Sequence, residues 1–280
     1  MTASPGDSPA TTSSTTSAAV PRLSSSAVAA REREVVRHET SLRSLTVTAV
    51  RDLTSSVRRV TLVGPELAGF ASAGPEDHLK VLFPAAPGQR IMRDYTPAAH
   101  RITDDGTDEL DIDFVVHGDT GPASAWAAGA KPGDTLAVGG PRGSRLAPRG
   151  YTRYVLLSDE SAAPALARWI AAVRDEGAVT AFVQSTDPRI LDYPFPTGPG
   201  VTVTPIAPGA EAALAAFEDA APDADTFVWA AGEATALVPI RRWLRERGLD
   251  KNQAKVDGYW RIGVAELDHH APLDPENPED

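Results

Sequence analysis

Between residues 44 and 139 apolar and polar positions alternate in short runs, at 45–50, 57–62, 78–83, 93–98, 110–116 and 134–138, parted by Gly, Pro and Asp. Period-2 runs of this length between turn residues predict strands, and their regular spacing predicts an antiparallel barrel. In the fifth run Leu110, Ile112, Phe114 and Val116 fall on one face, with Asp111, Asp113, Val115 and then His117 on the other. The first face is expected in a core and the second at a site.

After Gly150 the pattern changes. Apolar runs at 154–157, 179–183, 201–206 and 226–230 read as strands, and helices are expected near 164–175 and 235–247. Leu166, Ile170 and Val173 share one helical face, as do Leu237, Ile240 and Leu244, and Gly177 and Gly248 stand where the helices should stop. Alternating strands and helices predict a parallel sheet covered by helices. The expected fold class is a two-domain β plus α/β chain, with an antiparallel β-barrel at 41–149 followed by a parallel-sheet domain at 150–265. Residues 1–40 are expected to form a disordered N-terminal tail, because 1–30 is Ser, Thr, Ala and Pro with few large apolar groups. Residues 266–280 are expected to form an acidic, Pro-rich C-terminal tail.

Composition narrows the chemistry. The 280 residues are 42% hydrophobic and 23% charged, as in an ordinary globular protein. There is no cysteine, which excludes disulfides, cysteine-ligated iron–sulfur clusters, thiolate zinc sites and cysteine nucleophiles. Redox chemistry would then ride on an organic cofactor. A net charge of −11 gives no long-range field for nucleic acid, so no nucleic-acid partner is expected. No apolar run approaches the ~18–20 residues of a spanning helix, and the N-terminus lacks a signal-peptide pattern. A cytoplasmic monomer without membrane insertion is expected.

In Arg93-Asp-Tyr-Thr-Pro97 a strand places Arg93 and Tyr95 on one face, and Pro97 holds Thr96 extended. A cation, an aromatic plate and a hydroxyl suit a flavin nucleotide; a surface strand with a snorkelling arginine is the alternative. Gly121-Pro-Ala-Ser-Ala-Trp126 reads as a helix start, with Pro122 in the first turn and backbone N–H groups available for a pyrophosphate. Ser124 adds a hydroxyl there. In the second half Asp159 and Glu160 precede a helix, as caps or as the border of a cofactor site. Trp229-Ala-Ala-Gly-Glu233 lies where a strand gives way to a helix, the edge at which open parallel sheets place ligands.

The ordered set Arg93-x-Tyr-Thr, Asp-Phe-Val-Val-His117-Gly, Gly-Pro-Ala-Ser-x-Trp126-Ala, Gly-Pro141-Arg-Gly-Ser and Gly-Tyr-Trp-Arg-x-Gly263 resembles the siderophore-interacting, FAD-binding family of ferric-siderophore reductases, within the ferredoxin-reductase superfamily. The resemblance runs from about Ser44 to Gly263. It implies that the barrel binds FAD, with Arg93, Tyr95, Thr96, Asp113, Val115, His117, Ala123, Ser124 and Trp126 around it. It implies that the second domain binds NADPH or NADH, with Asp159, Glu160, Ala231, Gly232, Glu233 and Trp260 on the nicotinamide side. The implied activity is an NAD(P)H-dependent transfer of electrons through FAD to a ferric siderophore, releasing Fe(II) in the cytoplasm. Arg142, Lys255 and Arg261 are the candidates for a basic pocket around an anionic chelate. No residue is assigned as catalytic acid or base and no metal ligand is expected, because the flavin carries the chemistry. The rivals are a general flavin reductase, a reductase fed by ferredoxin, and a siderophore carrier without an electron path.

Two departures fall in the nicotinamide half. Gln184-Ser-Thr stands where the family often carries an acidic residue, and residues 205–208 replace its Trp and Arg after the third strand. Asp159 and Glu160 oppose the extra phosphate of NADPH, whereas Ser185, Thr186 and Arg189 can accept it. With Asp159 and Glu160 expected near the portion both cofactors share, the balance favours NADPH.

Overall fold

The computed structural model describes residues 1, 31–84, 89, 91–116, 121–249, 251–265, 267 and 272–277. Strand β1 (Val35–Arg37) leads into a seven-stranded antiparallel sheet of β2 (Leu42–Asp52), β3 (Val57–Val63), β4 (Leu79–Phe83), β5 (Ile91–Tyr95), β6 (Pro97–Ile102), β7 (Asp108–Val115) and β8 (Thr135–Gly139). Helix α1 (Pro122–Gly129) lies between β7 and β8, and β9 (Gly143–Arg145) pairs with β1. Alternation builds the core: Leu45 and Val47, Val60 and Leu62, Leu79 and Val81, Leu110, Ile112 and Phe114, and Leu136 and Val138 meet in one buried cluster.

The expected single strand at 93–98 is two. β5 ends at Tyr95, β6 begins at Pro97, and they are the opposite edges of the order β5-β4-β8-β2-β3-β7-β6. Pro97 has no N–H to continue a ladder, so the chain changes partner at Thr96. The sheet therefore curls until its two edges meet at that residue.

The second domain holds β10 (Arg153–Asp159), α2 (Ala163–Val173), β11 (Ala178–Gln184), β12 (Val201–Ile206), α3 (Ala210–Ala220), β13 (Thr226–Glu233), α4 (Ala234–Glu246) and β14 (Ala254–Trp260). Its sheet, ordered β12-β11-β10-β13-β14, is parallel throughout. Tyr154, Leu156, Phe227 and Trp229 pack under α2, while Val155, Leu157, Val228 and Ala230 pack with α3 and α4. Burial on both faces explains why these strands read as continuous apolar runs. No helix among the described residues is long and apolar enough to cross a membrane.

Parts of both expected tails pack on the fold. Residues 2–30 lie outside the described residues, but 31–40 are tied down. Arg31 donates to the carbonyls of Gly150 and Ala224 and pairs with Asp225 at 2.6 Å. Arg33 donates to the carbonyls of Leu146 and Arg145 and pairs with Glu76 at 2.9 Å. A guanidinium satisfies several acceptors at once, which anchors a segment with little apolar content. At the other end Leu273 is buried in the core under α4, and Asp274 pairs with Arg242 at 2.8 Å. A chain starting at residue 41 loses β1 and both arginines and strands Glu76. Against a chain starting at residue 31, its melting temperature is expected to fall by roughly 4–10 °C in a calorimetric scan.

Polar clasps join the domains. Arg168 of α2 donates to the carbonyls of Pro97, Ser72 and Gly74 at 2.8, 3.1 and 2.6 Å. Asp187, after β11, accepts from the backbone N–H of Ser55 and Ser56 at 2.8 and 3.1 Å. Burial alone would raise the Asp187 pKa, but hydrogen bonds from Arg189, Thr54 and Ser55 outweigh it and hold it down at about 2. A depressed carboxylate stabilises the fold fully above its unfolded value of ~3.9, and that contribution is lost as pH falls through about 2. Asp187→Asn is therefore expected to lower the melting temperature at pH 7, with the gap to wild type closing between roughly pH 4 and 2.

Candidate functional site

The barrel half is built on β5, Thr96 and α1. Tyr95 and Trp126 flank Phe114, with ring centroids 4.6 and 5.5 Å from it, and Phe83 lies 5.9 Å from Trp126. Arg93 is one pleat from Tyr95 on the same face of β5 and is half-buried. Burial holds the Tyr95 hydroxyl well above its usual pKa, against the charge of Arg93. The N-terminus of α1 has no side-chain cap and no acidic residue in its first turn, which holds Ala123 and Ser124. An uncapped helix end, an arginine, a hydroxyl and aromatic plates form a donor set that fits a flavin dinucleotide: cations and N–H dipoles for pyrophosphate, rings for the isoalloxazine.

Two expected members stand apart. His117 lies outside the described residues. Asp113 is 5% exposed, and it accepts from Arg59 Nε and Nη2 at 2.7 and 2.8 Å and from the Tyr193 hydroxyl at 2.6 Å. Strand alternation turns it, with Val115, away from the core face that holds Phe114, so Asp113 ties the barrel to the second domain.

The second half occupies the carboxyl ends of β10, β13 and β14. β11 follows β10 on one side of the sheet and β13 lies on the other, so the strand order reverses at β10, where open sheets bind ligands. Asp159, ending β10, accepts from Ser161 N and Ala162 N at 2.9 and 3.2 Å and from Trp260 Nε1 at 2.7 Å. Burial pushes its carboxyl up in pKa, opposed by the Ser161 and Trp260 hydrogen bonds. Ala231 is buried and Gly232 lies against Asp159: a Cβ at Gly232, whose φ is +152°, would stand 2.7 Å from Asp159 Oδ2. Only glycine fits that approach. Glu233 caps α4, accepting from Ala236 N at 2.7 Å, and also accepts from Ile262 N at 3.2 Å. Trp260 remains 41% exposed, an anchored aromatic plate over the edge.

The two halves meet through Tyr259, which the sequence did not single out although it stands in the quoted Gly-Tyr-Trp motif. Burial of its hydroxyl raises its pKa well above the usual value, with the charges of Glu76 and Asp257 adding, while a hydrogen bond with Thr96 opposes. The hydroxyl-bearing end of the barrel motif thus touches the residue beside Trp260.

Lys255 and Arg261 do not converge on an anion pocket. Lys255 is paired with Asp257 at 2.5 Å, and Arg261 donates to the carbonyl of Leu273 at 3.4 Å. Arg142 is exposed, and its carbonyl accepts from His38 N at 3.0 Å. Next to it opens a cavity of about 280 Å³ lined by Arg37, His38, Glu39, Arg43, Gly140 and Pro141 among others. The cations that gather are therefore on β1, β2 and the turn after β8, not on β14.

Known proteins share this architecture. The family model described as siderophore-interacting FAD-binding domain matches residues 46–91 and 87–145, and the one described as siderophore-interacting protein matches 151–263. The NADPH-dependent ferric-chelate reductase of Escherichia coli is 32% identical over 249 residues, spanning 80% of this chain and 95% of that protein. The crystal structure of a siderophore utilization protein from T. fusca superposes with a TM-score of 0.73 at 40% identity, covering 86% of this chain and all (100%) of that one. The mycobactin import ATP-binding/permease protein IrtA of Mycolicibacterium smegmatis is 29% identical over 79% of this chain, which spans 26% of that longer protein.

Proposed function

The chain belongs to the siderophore-interacting protein family, whose FAD-binding domain it carries, and from that premise we propose that it reduces ferric siderophores with electrons drawn from a nicotinamide dinucleotide, freeing Fe(II) in the cytoplasm. The contact of Thr96 with Tyr259 carries the proposal, since it sets the barrel motif against the switch-point edge of the parallel sheet. A flavin bound by this barrel would supply two-electron acceptance as hydride and one-electron donation to iron, which neither partner offers.

The chain's own residues bind and align. Arg93, Ser124 and the α1 N-terminus would hold the pyrophosphate, while Tyr95 and Trp126 would form the aromatic wall, backed by the buried Phe114. Thr96, buried where β5 becomes β6, would border the flavin and holds Tyr259 through its hydroxyl. On the facing side Asp159, Gly232 and Glu233 border the nicotinamide, and Trp260 shields that edge from water. Holding two rings at a fixed approach removes the orientational cost of hydride transfer, which is the protein's main contribution. Arg142, with Arg37 and Arg43 at the neighbouring cavity against the single acid Glu39 lining it, gives a locally cationic place on an acidic chain for an anionic chelate.

Flavin content separates this enzyme from a non-enzymatic carrier. The purified protein is expected to hold one FAD, released on denaturation and identified by chromatography. A protein that bound ferric siderophore but neither retained nor took up FAD would be a carrier.

A further inference from the structure

We propose that this chain selects NADH over NADPH, and that Glu160 makes the choice by accepting the adenosine ribose hydroxyls at the carboxyl end of β11. The inference rests on the reading that a nicotinamide dinucleotide binds at the β10 switch point. In such sheets an acidic residue beyond the strand next to the first bonds the ribose diol, whereas a nearby arginine accommodates the 2′-phosphate of NADPH.

At the end of β11 residues 184–186 include no acid, and Gln184 and Ser185 are committed to the scaffold while Thr186 is exposed. The Gln184 amide donates to the carbonyls of Ala207 and Gly209 at 3.3 and 2.7 Å, tying down the turn into α3. Ser185 accepts from Asp187 N at 2.8 Å and gives its single hydroxyl proton to Glu160 Oε1. The carboxylate missing after β11 is thus delivered from the turn after β10. Its other oxygen, Oε2, accepts no hydrogen bond among the described residues, which leaves it for a ribose hydroxyl. Glu160 therefore stands at the part of the site where the two cofactors differ, not at the part they share.

The cation on which the expectation of NADPH relied is paired with an acid. Arg189 Nε donates to Asp192 Oδ2 at 2.7 Å. It is the one cation in segments 184–192 and 207–211, where Asp187, Asp192 and Glu211 join Glu160 at the same edge. A 2′-phosphate would bring about two further negative charges to a place with no unpaired cation. The ribose diol brings none and supplies two donors. In this respect the chain is proposed to differ from its NADPH-dependent relative.

Binding of NADH and of NADPH to the FAD-loaded protein, read by nucleotide fluorescence, tests this alongside anaerobic flavin reduction by each. The wild type is expected to bind NADH at least tenfold more tightly. Glu160→Gln is expected to weaken NADH about tenfold while leaving NADPH within twofold, with flavin content unchanged. Adding Asp192→Asn, which releases Arg189, should move the ratio further toward NADPH. Equal or tighter binding of NADPH by the wild type, or a ratio that Glu160→Gln does not move, overturns the proposal while nicotinamide-driven reduction stands. Binding of neither nucleotide overturns both.

Discussion

Arg93→Ala combined with Ser124→Ala is expected to yield a folded protein that purifies nearly colourless. Arg93 is half-buried on an edge strand and Ser124 is half-buried in the first turn of α1, so neither side chain supports the barrel core. Hydrogen bonds from a cation or a hydroxyl to phosphate contribute about 1.5–3 kcal/mol each, and losing two corresponds to a roughly 10²–10⁴-fold weaker flavin site. Far-ultraviolet circular dichroism should be unchanged, while FAD titration should show the loss. Tyr95→Ala removes an aromatic plate that also packs on Phe83 and Phe114, so it should lower both flavin affinity and melting temperature. The contrast between the two variants separates flavin recognition from barrel packing. Wild-type flavin affinity in the double variant would remove the site from α1 and β5.

The second large effect concerns stability. Asp113→Ala leaves the Arg59 guanidinium without its bidentate partner and the Tyr193 hydroxyl without its acceptor, both at a buried junction between domains. Breaking a buried pair from one side costs about 3–5 kcal/mol, or roughly 6–20 °C in melting temperature for a protein of this size. Asp111 stands 3.6 Å from Arg59 and moderates the loss, although its own oxygens already accept from Thr61 and Arg101. Asp113→Asn keeps an acceptor for Tyr193 and should fall between. If Asp113 instead held a flavin, its alanine variant would lose FAD at unchanged melting temperature, the reverse of the expected pattern.

Local patterns in the sequence reached far into this fold. Alternation at Leu45 and Val47 or at Leu110, Ile112 and Phe114 reports directly on which face meets the core, and the barrel followed from it. The helical faces of Leu166, Ile170 and Val173 and of Leu237, Ile240 and Leu244 did the same for α2 and α4. Helix α3 escaped because its buried residues, Ala213, Ala216 and Phe217, give an apolar face hardly distinct from the alanines around it. The break at Thr96 was hidden because Pro97 is compatible with an edge strand, and nothing local tells which edge.

At the site, Arg93, Tyr95 and the α1 start were legible because three or four neighbouring residues carry the chemistry together. The clasp made by Asp113 was not legible because its partners are remote: Arg59 is 54 positions away and Tyr193 is 80. Arg31 finds Asp225 across 194 positions, which is why a segment poor in apolar residues looked like a free tail. Ser185 and Glu160 are 25 apart on adjacent strand ends, a neighbourhood that exists only once the parallel register is formed.

The central claim, that electrons pass from a nicotinamide through this chain's flavin to ferric siderophore, is tested most directly by anaerobic stopped-flow absorbance. NADH is added to the FAD-loaded protein, and the reduced sample is then mixed with a ferric siderophore and an Fe(II)-specific chelator. Loss of the oxidised flavin band, its return on mixing, and two Fe(II) trapped per flavin are the predicted result. A flavin that is reduced by neither NADH nor NADPH, or that stays reduced in the presence of the ferric siderophore, would contradict the account.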